Sequence, residues 1–380
     1  MTMPPQRRVL IVQEYVPDYR LAFFERLRDD LNMTAVQLVV AAGVPSGEQA
    51  KRGDDSGAVD GIVRVPARGI RARSRSASLR TIGPLLGGVD LVIVEQAIRQ
   101  LETYRLLLGP RPNGLRVALW GHGRNYVSQP SVIEEGVKGF LTRRANWFFA
   151  YTRGGAEAVA SAGFPPERIT VVQNSTDTKR LQELLRSVTK SQIDEIQTRL
   201  GLPPANVCLF VGALDATKRL DFLFTACRMI ADRLPDFTLI VAGDGPLRPM
   251  VERLATQEPW LRYVGRASDA DKAVLARISQ AIVMPGGVGL VAVDAFALET
   301  PIVTTDSPAH GPEFEYLEDG RNAIIAGNTE YAYANAMATA LTDTKLRSRL
   351  EGRCRIEAER YSVETMATNF RAGILDALGG

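Results

Sequence analysis

Short runs of apolar, β-branched and aromatic residues alternate along this chain with longer stretches in which apolar side chains return every three or four positions. The runs Val9–Gln13, Ala35–Ala41, Leu91–Glu95, Val117–Leu119, Trp147–Tyr151 and Ile169–Val172 predict buried strands. Between the first two, Leu21, Phe24, Leu27 and Leu31 mark one face of a helix, and Ser131-Val132-Ile133-Glu134 has the form of a capping box opening another. Strand and helix in alternation build parallel β-α-β units. The pattern lapses over Thr178–Leu200, a polar helical stretch ending at Gly201-Leu202-Pro203-Pro204. It resumes with Val207–Val211, Phe237–Ala242, Leu261–Val264, Ala281–Met284 and Pro301–Thr304. The expectation is an α/β protein of two doubly wound parallel sheets, with residues 1–183 as the first domain, 184–204 as a linker and 205–359 as the second. Open parallel sheets bind ligands beyond the carboxyl ends of their strands. Two such sheets facing across a cleft would bring two ligands together.

Bulk properties narrow the class. A chain of 380 residues exceeds one ordinary core, and 45% apolar with 23% charged residues is globular composition. The apolar run after Arg7-Arg8 is shorter than a signal-peptide core, and nothing reaches the roughly 18 apolar residues of a membrane span. Cys208, Cys227 and Cys354 are odd in number and far apart, which predicts no disulfide framework and no metal site, and a reducing cytoplasm. Asn174-Ser175-Thr176 fits a glycosylation sequon and is read as chance. Charge is uneven: residues 1–183 hold 25 basic and 18 acidic side chains, and the remainder 21 and 25. Between Gly61 and Val89 lie Arg64, Arg68, Arg71, Arg73, Arg75 and Arg80 with no acid. Such a stretch is either a solvated basic loop or a contact for an anionic acceptor or the inner face of an anionic membrane. It lacks the interleaved aromatics of a nucleic-acid platform, so no nucleic-acid partner is expected.

The segment richest in chemistry is Pro285-Gly286-Gly287-Val288-Gly289-Leu290, a glycine turn after a strand that leads into Val291-Ala292-Val293-Asp294. Glycines let backbone N–H groups approach an oxyanion, and the helix start supplies unsatisfied donors. A diphosphate would sit there, with Asp294 one turn on in reach of a ribose diol. Gly243-Asp244-Gly245 lacks the third glycine and the later acid of a dehydrogenase loop.

Here the chain resembles the family 4 glycosyltransferases, the retaining GT-B family also called glycosyl transferase group 1. The resemblance runs in order through Phe210-Val211-Gly212-Ala213-Leu214, Lys218-Arg219-Leu220-Asp221, Val241-Ala242-Gly243-Asp244-Gly245-Pro246, Tyr263-Val264-Gly265-Arg266, and Gly289-Leu290 to Pro301-Ile302-Val303. Tyr151-Thr152 and Gln173-Asn174-Ser175-Thr176-Asp177 are similar to segments before the family's interdomain linker. The helix after Arg360-Tyr361-Ser362 looks like the element, residues 360–380, that returns to the first domain. The resemblance implies two Rossmann-like domains and a nucleotide-sugar donor site of Gly212, Lys218, Arg219, Gly243, Gly265, Arg266, Gly286, Gly287, Val288, Gly289, Leu290 and Asp294. Lys218 would neutralise donor phosphate. His122, in Trp120-Gly121-His122-Gly123-Arg124-Asn125, looks like the family's first-domain histidine beside the reacting sugar; its other reading is a loop histidine bonded to backbone. Glu313 looks like the acid of the family's Pro-Glu segment and also suits a helix cap. For the acceptor side, the strand ends offer Tyr19 and Arg20 after the first strand, Glu95 and Arg99 after the third, and Arg124.

Two positions depart from the family. Its signature has a glutamate, seven residues, then a second glutamate; here these are Gly286 and Asp294, and its phosphate-binding arginine is Ala213. The departures leave three readings: an unusual donor sugar, which is favoured because the phosphate turn and Lys218 are intact, a neighbouring residue that compensates, or a weak enzyme. The implied reaction is transfer with retention to an acceptor hydroxyl, without metal or cofactor, in bacterial glycan or glycoconjugate biosynthesis. The acceptor would be a glycan, a lipid-linked glycan or a small molecule. Alternatives are a GT-B protein that binds nucleotide sugar without catalysis, and a sugar phosphorylase or epimerase on the same scaffold.

Overall fold

The computed structural model describes residues 6–45, 50, 54–56, 59, 61–72, 75–97, 99–112, 114–124 and 132–379; the side chains of 70–72, 75, 76, 132 and 133 lie outside that description. The chain divides into two compact units, Met1–Thr176 with Val363–Gly380, and Asp177–Ser362.

The first unit contains strands β1 (Arg7–Gln13), β2 (Val36–Ala42), β3 (Ile62–Arg64), β4 (Ala67–Ala72), β5 (Arg75–Arg80), β6 (Leu91–Glu95), β7 (Arg116–Gly121), β8 (Trp147–Ala150) and β9 (Ile169–Val171). Helices α1 (Leu21–Asn32), α2 (Leu101–Leu108), α3 (Val132–Thr142) and α4 (Arg153–Ser161) alternate with them. Seven strands form one parallel sheet in the order β3-β2-β1-β6-β7-β8-β9. Its strands are apolar at consecutive positions because both faces are covered. Val9 and Ile11 of β1 join the core formed with Phe23, Phe24, Leu27 and Leu31 of α1. Leu10 and Val12 enter the core on the opposite face, with Val92, Val94, Leu106 and Leu119.

The basic segment expected as a loop is instead an antiparallel hairpin of β4 and β5, in register from Ala67↔Arg80 to Ala72↔Arg75. Two of its six arginines are engaged within the unit. Arg80 is buried and donates from Nε to Glu102 of α2 at 2.6 Å, and Arg64 pairs with Asp55 at 2.8 Å. Arg68 is exposed, while the side chains of Arg71 and Arg75, and Arg73 altogether, lie outside the described residues, as does Ser131 of the expected capping box.

The second unit contains α5 (Thr178–Ser187), α6 (Lys190–Leu200), β10 (Val207–Val211), α7 (Leu220–Ala231), β11 (Thr238–Ala242), α8 (Arg248–Gln257), β12 (Leu261–Gly265), α9 (Asp269–Ile278), β13 (Ala281–Val283), α10 (Val291–Ala297), β14 (Ile302–Thr305), β15 (Ala323–Ala326), α11 (Glu330–Thr342) and α12 (Thr344–Arg360). Its six-stranded parallel sheet runs β12-β11-β10-β13-β14-β15. Strand order reverses between β10 and β13, as it does between β1 and β6 in the first unit. The crevice beyond such a reversal is where open sheets hold ligands.

The first unit ends at Thr176 rather than 183, and the segment 184–204 is not a free linker. Leu181 and Leu185 of α5 are buried in the second core, and Ile193 and Ile196 of α6 pack against it. Helix α12 belongs to the second unit, so the returning element begins at Val363 rather than 360. That element, α13 (Val363–Gly379), places Met366, Phe370 and Ile374 in the core with α1. Phe370 stacks on Phe149 at 4.4 Å and meets Trp120 edge-on at 4.9 Å. Gly373 permits the approach: a Cβ there would lie 2.5 Å from Thr170 Oγ1 and 2.7 Å from the Phe149 ring. Truncating a fully buried aromatic leaves a cavity among these rings. Phe370→Ala is expected to destabilise the first unit by about 3–5 kcal/mol, read from denaturant titration followed by tryptophan fluorescence.

Candidate functional site

Two loops meet beyond the reversal of the second sheet. The first follows β10 and runs from Gly212 through a 3-10 turn, Ala216–Lys218, whose N-terminus Asp215 caps by accepting from Thr217 N at 2.9 Å. The second is Pro285–Leu290, between β13 and α10. They approach so closely that side chains are excluded between them. A Cβ on Gly286 would lie 2.8 Å from Thr217 O and 2.7 Å from Arg219 Cδ. One on Gly287, whose φ of +58° already favours glycine, would lie 3.0 Å from Thr217 O. Lys218 Nζ donates to Gly287 O, tying the loops together. From the other side, β11 is followed by Gly243, where a Cβ would stand 1.9 Å from Gly212 O. Gly243 N donates to Gly265 O at 2.7 Å, and Arg266 beyond it is exposed.

Beside these loops lies a cavity of about 200 Å³, bordered by Gly212, Lys218, Lys272, Gly289, Leu290 and Asp294. The expected phosphate cation, the turn and Asp294 are therefore brought together. Asp294 does not stand alone there: Lys272 of α9 reaches it at 3.1 Å. Lys272 was absent from the sequence reading, because only the docking of α9 and α10 on the shared helix α5 relates the two residues. Arg219 has φ +53° and turns its guanidinium over the Phe222 ring at 4.1 Å, donating to Asn328 Oδ1 at 2.6 Å. Its side chain therefore covers Gly286, which offers no open contact surface of its own.

In the first unit, the strand-end residues largely engage one another. Arg20 is buried over the Trp120 ring at 4.6 Å and donates to the Tyr151 hydroxyl at 2.9 Å. Burial opposes its charge, and Tyr151, Tyr19 and Glu95 more than offset this. Glu95 accepts from Glu14 N at 3.0 Å and from Gln100 Nε2 at 2.6 Å; its pKa is raised by burial. Tyr19 and Arg99 are exposed. His122 is exposed at the end of β7, with its ring 4.5 Å from that of Tyr151. The surrounding protein, then the Arg20 and Lys138 cations, push its pKa down. A second cavity of about 220 Å³ is bordered by Gln96, Gly123, Arg124, Glu135, Lys138 and Thr142. Gln96, which the sequence reading also passed over, accepts from Gly123 N at 3.1 Å and so fixes the loop carrying His122.

Comparison with known proteins gives this geometry a family. Residues 205–343 match the model of the family described as glycosyl transferases group 1. The second unit is a glycosyl transferases group 1 domain. The alpha-D-kanosaminyltransferase of Streptomyces kanamyceticus is 26% identical over 199 residues, 50% of each chain, so this chain matches about half the length of that relative. A GDP-mannose-dependent alpha-(1-6)-phosphatidylinositol dimannoside mannosyltransferase of Mycobacterium tuberculosis is 29% identical over 310 residues, 75% of this chain and 79% of the relative. Among solved structures, a glycosyltransferase from Rickettsia africae aligns with TM-score 0.73 at 13% identity, covering 98% of both chains. The HepE protein of Anabaena, in complex with UDP and glucose, aligns with TM-score 0.67 at 17% identity over 97% of this chain and 99% of that one. The fold is GT-B. Among the described residues no helix is long and apolar enough to cross a membrane, and the three cysteines are buried and free.

Burial and ion pairing together set the charges in the group 1 domain. Lys218 is held below the usual lysine range by burial, against Asp215 and Glu313. Lys272 is raised, chiefly by Asp294. His310, in the loop after β14, braces the turn. Its Nδ1 accepts from Val288 N at 3.2 Å, which fixes the tautomer, and Nε2–H donates to Thr305 O at 2.9 Å. Burial, then the Arg219 and Lys218 cations, lower its pKa, although the Thr305 carbonyl pulls the other way. A proton on Nδ1 would displace the Val288 amide. The unfolded chain takes up that proton more readily, so this contribution to stability is present above the ordinary histidine pKa of about 6.5 and is lost as pH falls below it. His310→Gln should flatten the decline in stability between about pH 6.5 and pH 5 in thermal melts.

Proposed function

We propose that the chain is a retaining glycosyltransferase that moves a sugar from a nucleoside diphosphate sugar to an acceptor hydroxyl. The observation that carries this reading is the cavity at the strand reversal of the group 1 domain. It brings a lysine, a glycine turn opening a helix and a carboxylate to one wall. Lys218 and the amides at Gly289 and Leu290 are suited to the diphosphate, and Asp294, oriented by Lys272, to the ribose diol. In the reaction the bond between the anomeric carbon and the diphosphate oxygen breaks. Negative charge collects on the departing diphosphate, and the acceptor oxygen bonds to the anomeric carbon from the same face while its proton passes to the departing diphosphate oxygen. Lys218 stabilises that charge as it develops. His122 of the first unit, neutral near pH 7, can hydrogen-bond a sugar or leaving-group oxygen. We further propose that the second cavity, with Arg124 and Lys138, belongs to the acceptor side. Arg80 of the hairpin and Arg64 before it are already engaged, so the basic segment is a smaller candidate for an anionic surface than its composition suggests.

A ligand that binds only the folded state at 100 times its Kd stabilises by about 2.7 kcal/mol. One of UDP, GDP, TDP or ADP should raise the melting temperature by several degrees, and Lys218→Ala should abolish the shift. The same substitution should lower kcat/KM by about 100-fold or more. A melting temperature unmoved by all four nucleotides would overturn the donor reading.

A further inference from the structure

The first unit's cavity has a wall of helix α3 on which Glu135, Lys138, Gly139 and Thr142 stand three and four residues apart, so they share one helical face. Gly139 of α3 and Ala158 and Ala162 of α4 are small, and their size leaves the volume open. The neutral polar groups of the wall satisfy one another. Gln96 Oε1 accepts from Gly123 N at 3.1 Å, its Nε2 donates to Thr142 Oγ1 at 3.0 Å, and that hydroxyl donates to Lys138 O at 2.7 Å. The loop carrying Arg124 is fixed as well: Gly123 has φ +72°, and a Cβ there would stand 2.2 Å from Gly155 O.

Lys138 is the exception. It is half-buried, and among the described residues its ammonium makes no hydrogen bond and no ion pair. Burial disfavours its charge, and the exposed Glu135 opposes this only from a distance. A lysine on an open helix face extends into water and needs no partner. One drawn over a cavity and partly withdrawn from water carries donors and a charge that burial penalises. Arg124 borders the same cavity, and the Lys138 charge reaches as far as His122. Two cations against one exposed acid leave this wall with an excess of positive charge.

We propose that this cavity seats an oxyanion of the acceptor, a phosphate or a carboxylate, held by Lys138 and Arg124. The inference rests on assigning the cavity to the acceptor side and adds a substrate class, an acceptor whose hydroxyl belongs to an anionic molecule. Ammonium and guanidinium groups only donate, so the matching group must accept. An oxyanion answers both the donors and the charge, whereas a neutral hydroxyl answers the donors alone. Seated there, it also offsets the repulsion that Lys138 exerts on a protonated His122.

His122 and His310 are the chain's two histidines, and each reports on one cavity. His122 feels Lys138, and His310 feels Lys218 and Arg219. Their ring resonances would be followed by NMR in the whole chain, over a pH titration, as inorganic phosphate, acetate, glycerol 3-phosphate or glycerol is added. Phosphate or acetate should raise the His122 pKa and leave His310 unmoved, and glycerol should move neither. Phosphate and its glycerol ester acting alone mark a phosphorylated acceptor; acetate acting alone marks a carboxylated one. Lys138→Met keeps much of the side chain's length and removes its charge. It should weaken the effective anion by about 10-fold, as befits loss of a hydrogen bond from a charged group, and Lys138→Arg should restore it. Anions that leave His122 unmoved, that move His310 instead, or that act as strongly on Lys138→Met make Lys138 an ordinary helix-face lysine and overturn the proposal. A wild type stabilised by no nucleoside diphosphate, with His122 still answering to phosphate, overturns the donor reading, and the acceptor role of the anion falls with it.

Discussion

The close approach of the Thr217–Arg219 backbone to the Gly286–Gly287 turn governs the second unit's site. Because a Cβ there would crowd the Thr217 carbonyl, the turn is glycine on that side, and the long Lys218 side chain reaches across to it. The lysine can then satisfy a carbonyl of the turn while its stem borders the cavity. Arg219 takes a left-handed backbone conformation, and its side chain covers the glycine it faces. His310 braces the same turn from behind, through one amide and one carbonyl, and does so only as the neutral imidazole. A catalytic-looking loop thus owes its shape to backbone packing. Its chemistry is arranged around that packing.

The two sheets treat their strand reversals differently. In the first unit, Gln100 donates to Glu95 and Arg20 donates to Tyr151, so these polar groups near the sheet end find partners within the protein. Openness there is displaced to the cavity beside Gln96 and Lys138. In the second unit the corresponding place stays open, bordered by two lysines and an aspartate. An ion pair such as Lys272–Asp294 holds a carboxylate in place while its remaining lone pairs can still accept from a ligand. That division of labour supports assigning the donor to the second unit.

The sequence by itself determined the sheets and the glycine turn. Runs such as Val207–Val211 are apolar at every position, and only a strand covered on both faces makes that pattern stable. It also marked Lys218, Asp294 and Gly289 as neighbours of one site through the order of the motifs. The hairpin at Ala67–Arg80 was missed because arginine and serine give no period-2 apolar signal; its pairing rests on backbone hydrogen bonds and the buried Arg80–Glu102 contact. The domain boundary moved for a similar reason, since few apolar residues, Leu181, Leu184 and Leu185, carry an otherwise polar helix onto the second core. What only the tertiary structure decided is which distant residues share a wall. Lys272 beside Asp294 and Arg219 over Gly286 each join segments far apart in sequence. No local pattern encodes such distances, because they are set by how separate helices and loops dock on one sheet.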